Sequence, residues 1–132
     1  MADFATGTWN LVQTENFDEY MKAVGVGLVM RKMAATIKPT QEISVEGGRW
    51  KIKTISTLKT TEIDFVIGEE FEETTADGRK VKTVMSLDGQ KLTAVQKGDV
   101  DSTISREWAG DTMTMELTAK DAVCTRTYKK SK

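Results

Sequence analysis

The sequence predicts an all-β fold, a barrel with two short helices near its N-terminus. Two segments of helical period occur before Thr40 and none after it. Beyond Thr40, alternating strands are separated by turn signals at Gly47-Gly48, Asp77-Gly78, Asp88-Gly89, Gly98-Asp99 and Gly110-Asp111, a spacing typical of a sandwich or barrel. Several strands also carry polar residues in line with apolar ones, among them Thr54, Ser56 and Thr83. A hydrated internal cavity accepts such groups and a solid core does not, which favours a barrel.

The N-terminal segment predicts a strand followed by an amphipathic helix. Thr6 to Thr14 reads as the strand, with Trp9 and Leu11 on one face. Asn16 is a candidate N-cap, and Gly25 is a candidate end of the helix. Between them lies the apolar stripe of a lid helix, formed by Phe17, Tyr20, Met21 and Val24.

A second short helix is predicted after Gly27 and before Pro39, the only proline. Its apolar face is expected to hold Val26, Met30, Met33 and Ile37. Further on, Gly68 marks a bend or a gap in pairing between Ile67 and Phe71. The acidic run Glu69, Glu70, Glu72 and Glu73 is interpreted as a solvated strand edge rather than a site.

Two C-terminal strands each place an arginine on a face that looks inward. Arg106 alternates with Ile104 and Trp108, and Arg126 shares its face with Cys124 and Tyr128. A buried cation needs an anion, which is either a carboxylate of the protein across the barrel or a ligand. The planar guanidinium fork suits a ligand carboxylate, and Tyr128 would add a neutral donor.

The composition excludes several function classes. The 132 residues predict one domain, 1–132, and a net charge of -1 argues against nucleic-acid binding. The absence of histidine disfavours enzyme chemistry and metal binding, and we expect no cofactor. The single cysteine, Cys124, is expected to be a buried core thiol in a reducing compartment. With neither a secretory signal nor an apolar run near 20 residues, the predicted location is cytoplasmic.

Four stretches resemble one known family along essentially the whole chain. They are Gly7-Thr8-Trp9; Asn16 to Lys22 with Gly25-Val26; Gly68 to Phe71 running on to Asp77-Gly78-Arg79-Lys80-Val81-Lys82; and Cys124 to Tyr128. In this order and at this length they are similar to the intracellular lipid-binding proteins of the fatty-acid-binding type. The likeness extends to the heart, brain and myelin branch, whose members end in a similar Arg-x-Tyr.

The resemblance implies a ten-stranded antiparallel up-and-down barrel of the lipocalin and calycin kind, with a two-helix lid. It implies that Arg106, Arg126 and Tyr128 bind the carboxylate of a fatty acid. The portal would lie between the second helix and the turns at Leu58-Lys59 and Ala76 to Gly78. Relatives often carry Phe where Leu58 stands. The expected tail-lining residues, for each of which plain packing is an equal alternative, are Phe17, Met21, Ala34, Pro39, Ser56, Leu58, Ala76 and Met115.

The predicted function is therefore a monomeric carrier that binds one long-chain fatty acid reversibly and moves it between membranes and enzymes. Retinoic acid remains an alternative ligand, because its carriers also have the two arginines. The helical lid is expected to contact anionic membranes transiently, with Lys22, Arg31, Lys32 and Lys38 as candidate contacts or simply a solvated face. A membrane-adhesive role is disfavoured by the pI of about 5.6.

Overall fold

The computed structural model describes residues 3–131 as ten strands and two short helices. In chain order they are β1 (Gly7–Glu15), α1 (Phe17–Ala23), α2 (Leu28–Ala34), β2 (Thr40–Glu46), β3 (Arg49–Ile55), β4 (Thr61–Val66), β5 (Phe71–Thr74), β6 (Lys80–Asp88), β7 (Lys91–Lys97), β8 (Ser102–Ala109), β9 (Thr112–Ala119) and β10 (Ala122–Lys130).

All ten strands belong to one antiparallel sheet in the order β4-β3-β2-β1-β10-β9-β8-β7-β6-β5. Strands that follow each other in the chain pair, except β4 and β5, and β1 also pairs with β10, so that the first and last strands join in the wall. This confirms the predicted ten-stranded up-and-down barrel with two helices.

The wall is open between β4 and β5, which do not pair along a ladder. Gly68 lies in this gap with a φ of 86°, a backbone conformation that suits glycine, and its N–H donates to the Met85 carbonyl at 2.8 Å. The rings of Phe65 and Phe71 stack across the opening with their centroids 5.4 Å apart. The predicted gap between Ile67 and Phe71 is confirmed.

The first helix ends as predicted but does not begin as predicted. The Gly25 N–H donates to the Lys22 carbonyl and the Val26 N–H to the Met21 carbonyl, a Schellman end with Gly25 at a φ of 95°. Asn16 precedes the helix, but its backbone is left-handed and its side chain makes no capping hydrogen bond. Its amide instead donates to the Val123 carbonyl at 3.3 Å, so the N-cap prediction was wrong in mechanism.

The second helix does not bury the apolar face that its sequence predicted. No residue of α2 is buried; Val26 lies before the helix and Ile37 after it. Four apolar side chains of α2 are exposed, namely Leu28, Val29, Met30 and Met33. Its seven residues form only about two turns, too few to cover the cavity and to bury a full stripe.

An aromatic cluster fills the barrel end that lies away from the helices. Ser102, at the start of β8, forms a hydrogen bond with Tyr20 of α1 and so marks the helical end of the barrel. Trp108 lies six residues further along β8, a distance of about 20 Å at the rise per residue of a strand. Trp108 packs against Phe4 and Trp50, with ring centroids 5.4 and 6.2 Å away. Trp9 is fully buried. Large buried side chains therefore pack this end as a closed core.

Candidate functional site

Arg106 and Arg126 lie in one row across three neighbouring strands. Met115 on β9 pairs with Arg106 on β8 and with Arg126 on β10. With strands about 4.8 Å apart, the two arginine backbones stand roughly 10 Å from each other. Both side chains face inward and both residues are buried, as their strand phases predicted. The two side chains therefore face the same part of the barrel interior.

Arg126 contacts the N-terminal end of α1. Its Nη1 donates to the Thr14 hydroxyl at 3.3 Å, and its guanidinium carbon lies 3.8 Å from the centroid of the Phe17 ring, a cation–π contact. A bulge between Leu11 and Gln13 shifts the phase of β1 and places Thr14 opposite Arg126, on the same face of the sheet, although Thr14 itself is exposed. Simple alternation from Leu11 would place Thr14 outside, which is why the sequence did not indicate it.

Arg106 is oriented by Gln41, a residue that the sequence analysis missed. The Arg106 Nε donates to Gln41 Oε1 at 3.1 Å, and Gln41 Nε2 lies 3.5 Å from the sulfur of Met115. Burial lowers the pKa of Arg106 below its ordinary value, and nearby Tyr128 and Glu73 oppose that shift only in part. Because Nε is taken by Gln41, the two terminal nitrogens are left for an anion. Alternation with buried Ile43 could have identified Gln41.

Neither arginine has a carboxylate within ion-pair distance among residues 3–131. The alternative of an ordinary structural ion pair across the barrel is thus not what the structure shows. Tyr128 is almost fully buried, two residues from Arg126 on the same face of β10. The three predicted head-group residues therefore converge on one inner region of the wall.

Two adjoining cavities lie between this region and the helices. One has a volume of about 230 Å³ and is lined by Arg126, Tyr128 and Gln41 among others. The second, of about 190 Å³, lies under α1 and α2. Five residues line both cavities: Phe17, Ala34, Leu58, Ala76 and Leu117.

All eight predicted tail-lining residues lie on the walls of these two cavities. Met21 lines the cavity under the helices, and Pro39, Ser56 and Met115 line the larger cavity. Arg106 is not on either lining and contacts the larger cavity through Gln41. Placement on a wall does not test contact with a ligand, so these ligand contacts stay predictions.

Glu73 faces the cavity, and its interpretation as part of a solvated edge was wrong. Its neighbours Glu70 and Glu72 are exposed, but Glu73 is half-buried and lines the larger cavity. Its Oε1 accepts from the Thr83 hydroxyl at 2.9 Å and from Gln96 Nε2 at 3.2 Å. The alternation of β5 turns Phe71 and Glu73 to the same side, a signal that the run of acidic residues obscured.

A polar cluster forms where Tyr20 of α1 meets Ser102 of β8 and Arg79 of the turn between β5 and β6. The Tyr20 hydroxyl and the Ser102 hydroxyl lie 2.6 Å apart, and Arg79 Nε donates to Asp77 Oδ2 at 2.7 Å. Burial raises the pKa of Tyr20, and its hydrogen bond with Ser102 and the nearby charge of Arg79 oppose the shift. Asp77 belongs to one of the predicted portal turns, so the cluster lies beside the predicted portal.

Cys124 is fully buried, as expected, and burial raises the pKa of its thiol although Arg126 opposes the shift. This thiol is therefore a poor nucleophile. In the part of the chain that the structure describes, no group of three or more cysteine and acidic side chains could hold a metal ion. No described helix is long and apolar enough to cross a membrane.

The sequence of this barrel matches the model of the lipocalin / cytosolic fatty-acid binding protein family over residues 6–131. The chain belongs to this family. Family members and structural neighbours are lipid-binding carriers, so the chain is a lipid-binding protein and not an enzyme. The branch within the family remains a prediction.

Individual relatives agree with the family assignment. A protein of Doryteuthis pealeii named sodium/calcium exchanger regulatory protein 1 is 55% identical over 130 residues, 98% of each chain. The structure of the REP1-NXSQ fatty acid transporter is 55% identical, with a TM-score of 0.94 over 96% of both chains. A Schistosoma mansoni fatty acid binding protein in complex with arachidonic acid is 35% identical, with a TM-score of 0.97 over 99% of this chain and 98% of that one.

Proposed function

We propose that this protein is a cytoplasmic, monomeric carrier of one long-chain fatty acid, whose carboxylate is bound by Arg106, Arg126 and Tyr128. The observation that carries the proposal is the row of two buried arginines without a protein carboxylate, set beside a cavity. In the fatty-acid-binding protein of Schistosoma mansoni the ligand is arachidonic acid, which has the required carboxylate and apolar tail.

Tail and head group have different tasks in this proposal. At ~0.8 kcal/mol per buried methylene, ~15 methylenes contribute on the order of 12 kcal/mol, before the cost of ordering the ligand. Charge-assisted hydrogen bonds add only about 1.5–3 kcal/mol. The tail therefore supplies most of the affinity, and the arginines select an acid over an alcohol.

The test compares stearate with octadecanol on wild type and on Arg126→Met, which keeps much of the side-chain volume but removes the charge. We expect wild type to bind stearate roughly 10- to 100-fold more tightly than octadecanol, as the energy of a charged hydrogen bond requires, and the variant to lose this preference. Lys129→Met is the matched control, an exposed cation on the same strand. A preference that survives in Arg126→Met would overturn the head-group assignment.

Retinoic acid remains the alternative ligand, since it has the same head group. Competition of stearate and all-trans-retinoic acid for wild type decides between them. Stronger displacement by stearate supports the fatty-acid proposal, and stronger displacement by retinoic acid replaces it.

We also propose a transient membrane contact through α2. Leu28 and Val29 are 57% and 75% exposed beside the exposed cation Lys32. Arg31 is unsuited to this role, because its Nε donates to Asp18 Oδ1 at 3.0 Å and its Nη1 to the Val26 carbonyl at 2.7 Å. Lys22 and Lys38 are exposed and remain candidates.

The membrane contact is tested by the rate of fatty-acid transfer to anionic vesicles. Lys32→Glu should slow the transfer several-fold, because the reversed charge repels anionic lipid. Lys91→Glu on β7 is the control for the change in net charge. Equal rates for the two variants would contradict the contact.

The relative from Doryteuthis pealeii supports a second candidate function, regulation of a sodium/calcium exchanger, through 55% identity over 98% of both chains. Sodium-dependent calcium uptake by exchanger-containing vesicles, with and without this protein, tests it. An unchanged uptake with both the fatty-acid-loaded and the delipidated protein would remove this candidate.

A further inference from the structure

Glu73 places a carboxylate inside a cavity that an alkyl tail should fill. The residue lines the larger cavity and lies on β5, beside the portal turn. An ionised carboxylate is an acceptor with no donor of its own, and it loses hydrogen bonds when a hydrocarbon replaces water beside it. A plain saturated tail is therefore an imperfect match for this wall.

The two oxygens of Glu73 have different environments. Thr83 and Gln96, which are both nearly fully buried, donate to Oε1. No described protein group donates to Oε2. The buried donors fix the carboxylate in place, and Oε2 is the acceptor that it offers to the contents of the cavity.

The position of Glu73 relative to the arginines sets where a ligand would need a donor. Leu92 on β7 pairs with Arg106, and Gln96 lies four residues further along the same strand, about 13 Å at strand rise. Gln96 bonds directly to Glu73. With C–C bonds of about 1.5 Å, an extended alkyl chain covers this distance in roughly ten carbons. The donor would therefore lie near the middle of a long chain.

We propose that this protein prefers long-chain fatty acids that carry a hydroxyl group near mid-chain, and that Glu73 accepts the hydrogen bond of that hydroxyl. The inference rests on the proposed carboxylate site, which anchors the other end of the ligand. Thr54 and Thr61 are also among the residues that line this cavity, so its wall is partly polar.

The test uses a ligand pair that differs only in donor capacity. Wild type should bind 10-hydroxystearate about 10-fold more tightly than 10-oxostearate, because the ketone can only accept and meets an acceptor. It should also favour 10-hydroxystearate over stearate, whereas 2-hydroxystearate should gain nothing over stearate. Equal binding of the hydroxy and oxo acids by wild type would overturn the inference.

Glu73→Gln sharpens the test, because the amide has one acceptor and one donor group. Thr83 and Gln96 should donate to the amide oxygen of the new glutamine, as they do to Oε1 of Glu73. The NH₂ group of the amide should then take the place of Oε2 at the cavity. We expect the ranking to invert, with 10-oxostearate bound at least as tightly as 10-hydroxystearate. Glu72→Gln, an exposed position on the same strand, should keep the wild-type ranking.

Stearate binding distinguishes failure of the proposed carrier function from failure of the proposed role of Glu73. If wild type binds no stearate and no hydroxystearate, the proposed function fails. If stearate is bound but the wild-type preference for the hydroxyl is absent, or is unchanged in Glu73→Gln, only the role of Glu73 fails. Stearate binding by Glu73→Gln also shows that the variant is folded.

Discussion

The two ends of the barrel are built in opposite ways. At the closed end, large aromatic side chains are almost completely buried, including Trp9, Trp50, Phe65 and Trp108. At the helical end, α2 buries none of its residues, and the space below it is a cavity. The closed end has the packing of a protein core, and α2 has the sparse contacts expected of a segment that opens.

This difference indicates how one small domain can be stable and still admit a ligand. The aromatic end, the paired strands and the buried side chains of α1 can provide the global free energy of unfolding, while α2, which buries no residue, contributes little to it. The second helix can then open without unfolding the wall.

Amide hydrogen exchange should show the largest contrast. Strands β9 and β10 pair along their whole length, so their central amides should exchange only through global unfolding, typically about 5–15 kcal/mol. Amides of α2 should open at a free energy lower by at least about 3 kcal/mol, which is more than 100-fold in rate. Equal protection in α2 and β10 would contradict the division.

Truncating the closed end should cost far more than truncating the helical end. Trp9 is fully buried and its indole N–H donates to the Ala5 carbonyl at 3.0 Å. Trp9→Ala should lower the free energy of unfolding by about 3–5 kcal/mol, measured by urea denaturation. Val29→Ala, at a side chain that is 75% exposed, should change it by no more than about 0.5 kcal/mol.

Releasing α2 from α1 should change ligand kinetics more than stability. Arg31 joins the helices through Asp18 and the Val26 carbonyl. Arg31→Met should speed fatty-acid dissociation roughly 3- to 10-fold, as expected for the loss of about 1 kcal/mol of such contacts. Stopped-flow release into acceptor vesicles measures this rate. A large fall in global stability with an unchanged release rate would show that α2 belongs to the core.

The smallest effect concerns pH at the junction of α1 and the wall. Burial raises the pKa of Tyr20 above its ordinary value of 10.0. The folded protein therefore holds this proton more tightly, and the resulting stability is complete below about pH 10 and is lost as pH rises through the folded value. Between pH 9 and 11, wild type should lose more stability than Tyr20→Phe. Parallel pH profiles from urea denaturation would show that Tyr20 does not contribute.

Local patterns in the sequence were enough to predict the strands, the turns and the inward faces of the two arginine strands. The period of two is a local property, and glycine-containing turns define where each strand stops. The same locality let the stripe of α1 and its end at Gly25 be predicted. The gap in strand pairing at Gly68 could also be predicted, because glycine within a strand region weakens pairing.

The partner of each inward polar residue depends instead on how distant segments pack together. Thr14 reaches Arg126 only because a bulge shifts the phase of β1, and Gln41 meets Arg106 across 65 residues of sequence. Glu73 turns from an apparent surface charge into a cavity group because its partners lie on β6 and β7. Arg31 likewise donates to Asp18 and to the Val26 carbonyl because the packing of the two helices brings these groups together. Hydrogen bonds between distant segments depend on register, which local periodicity does not encode.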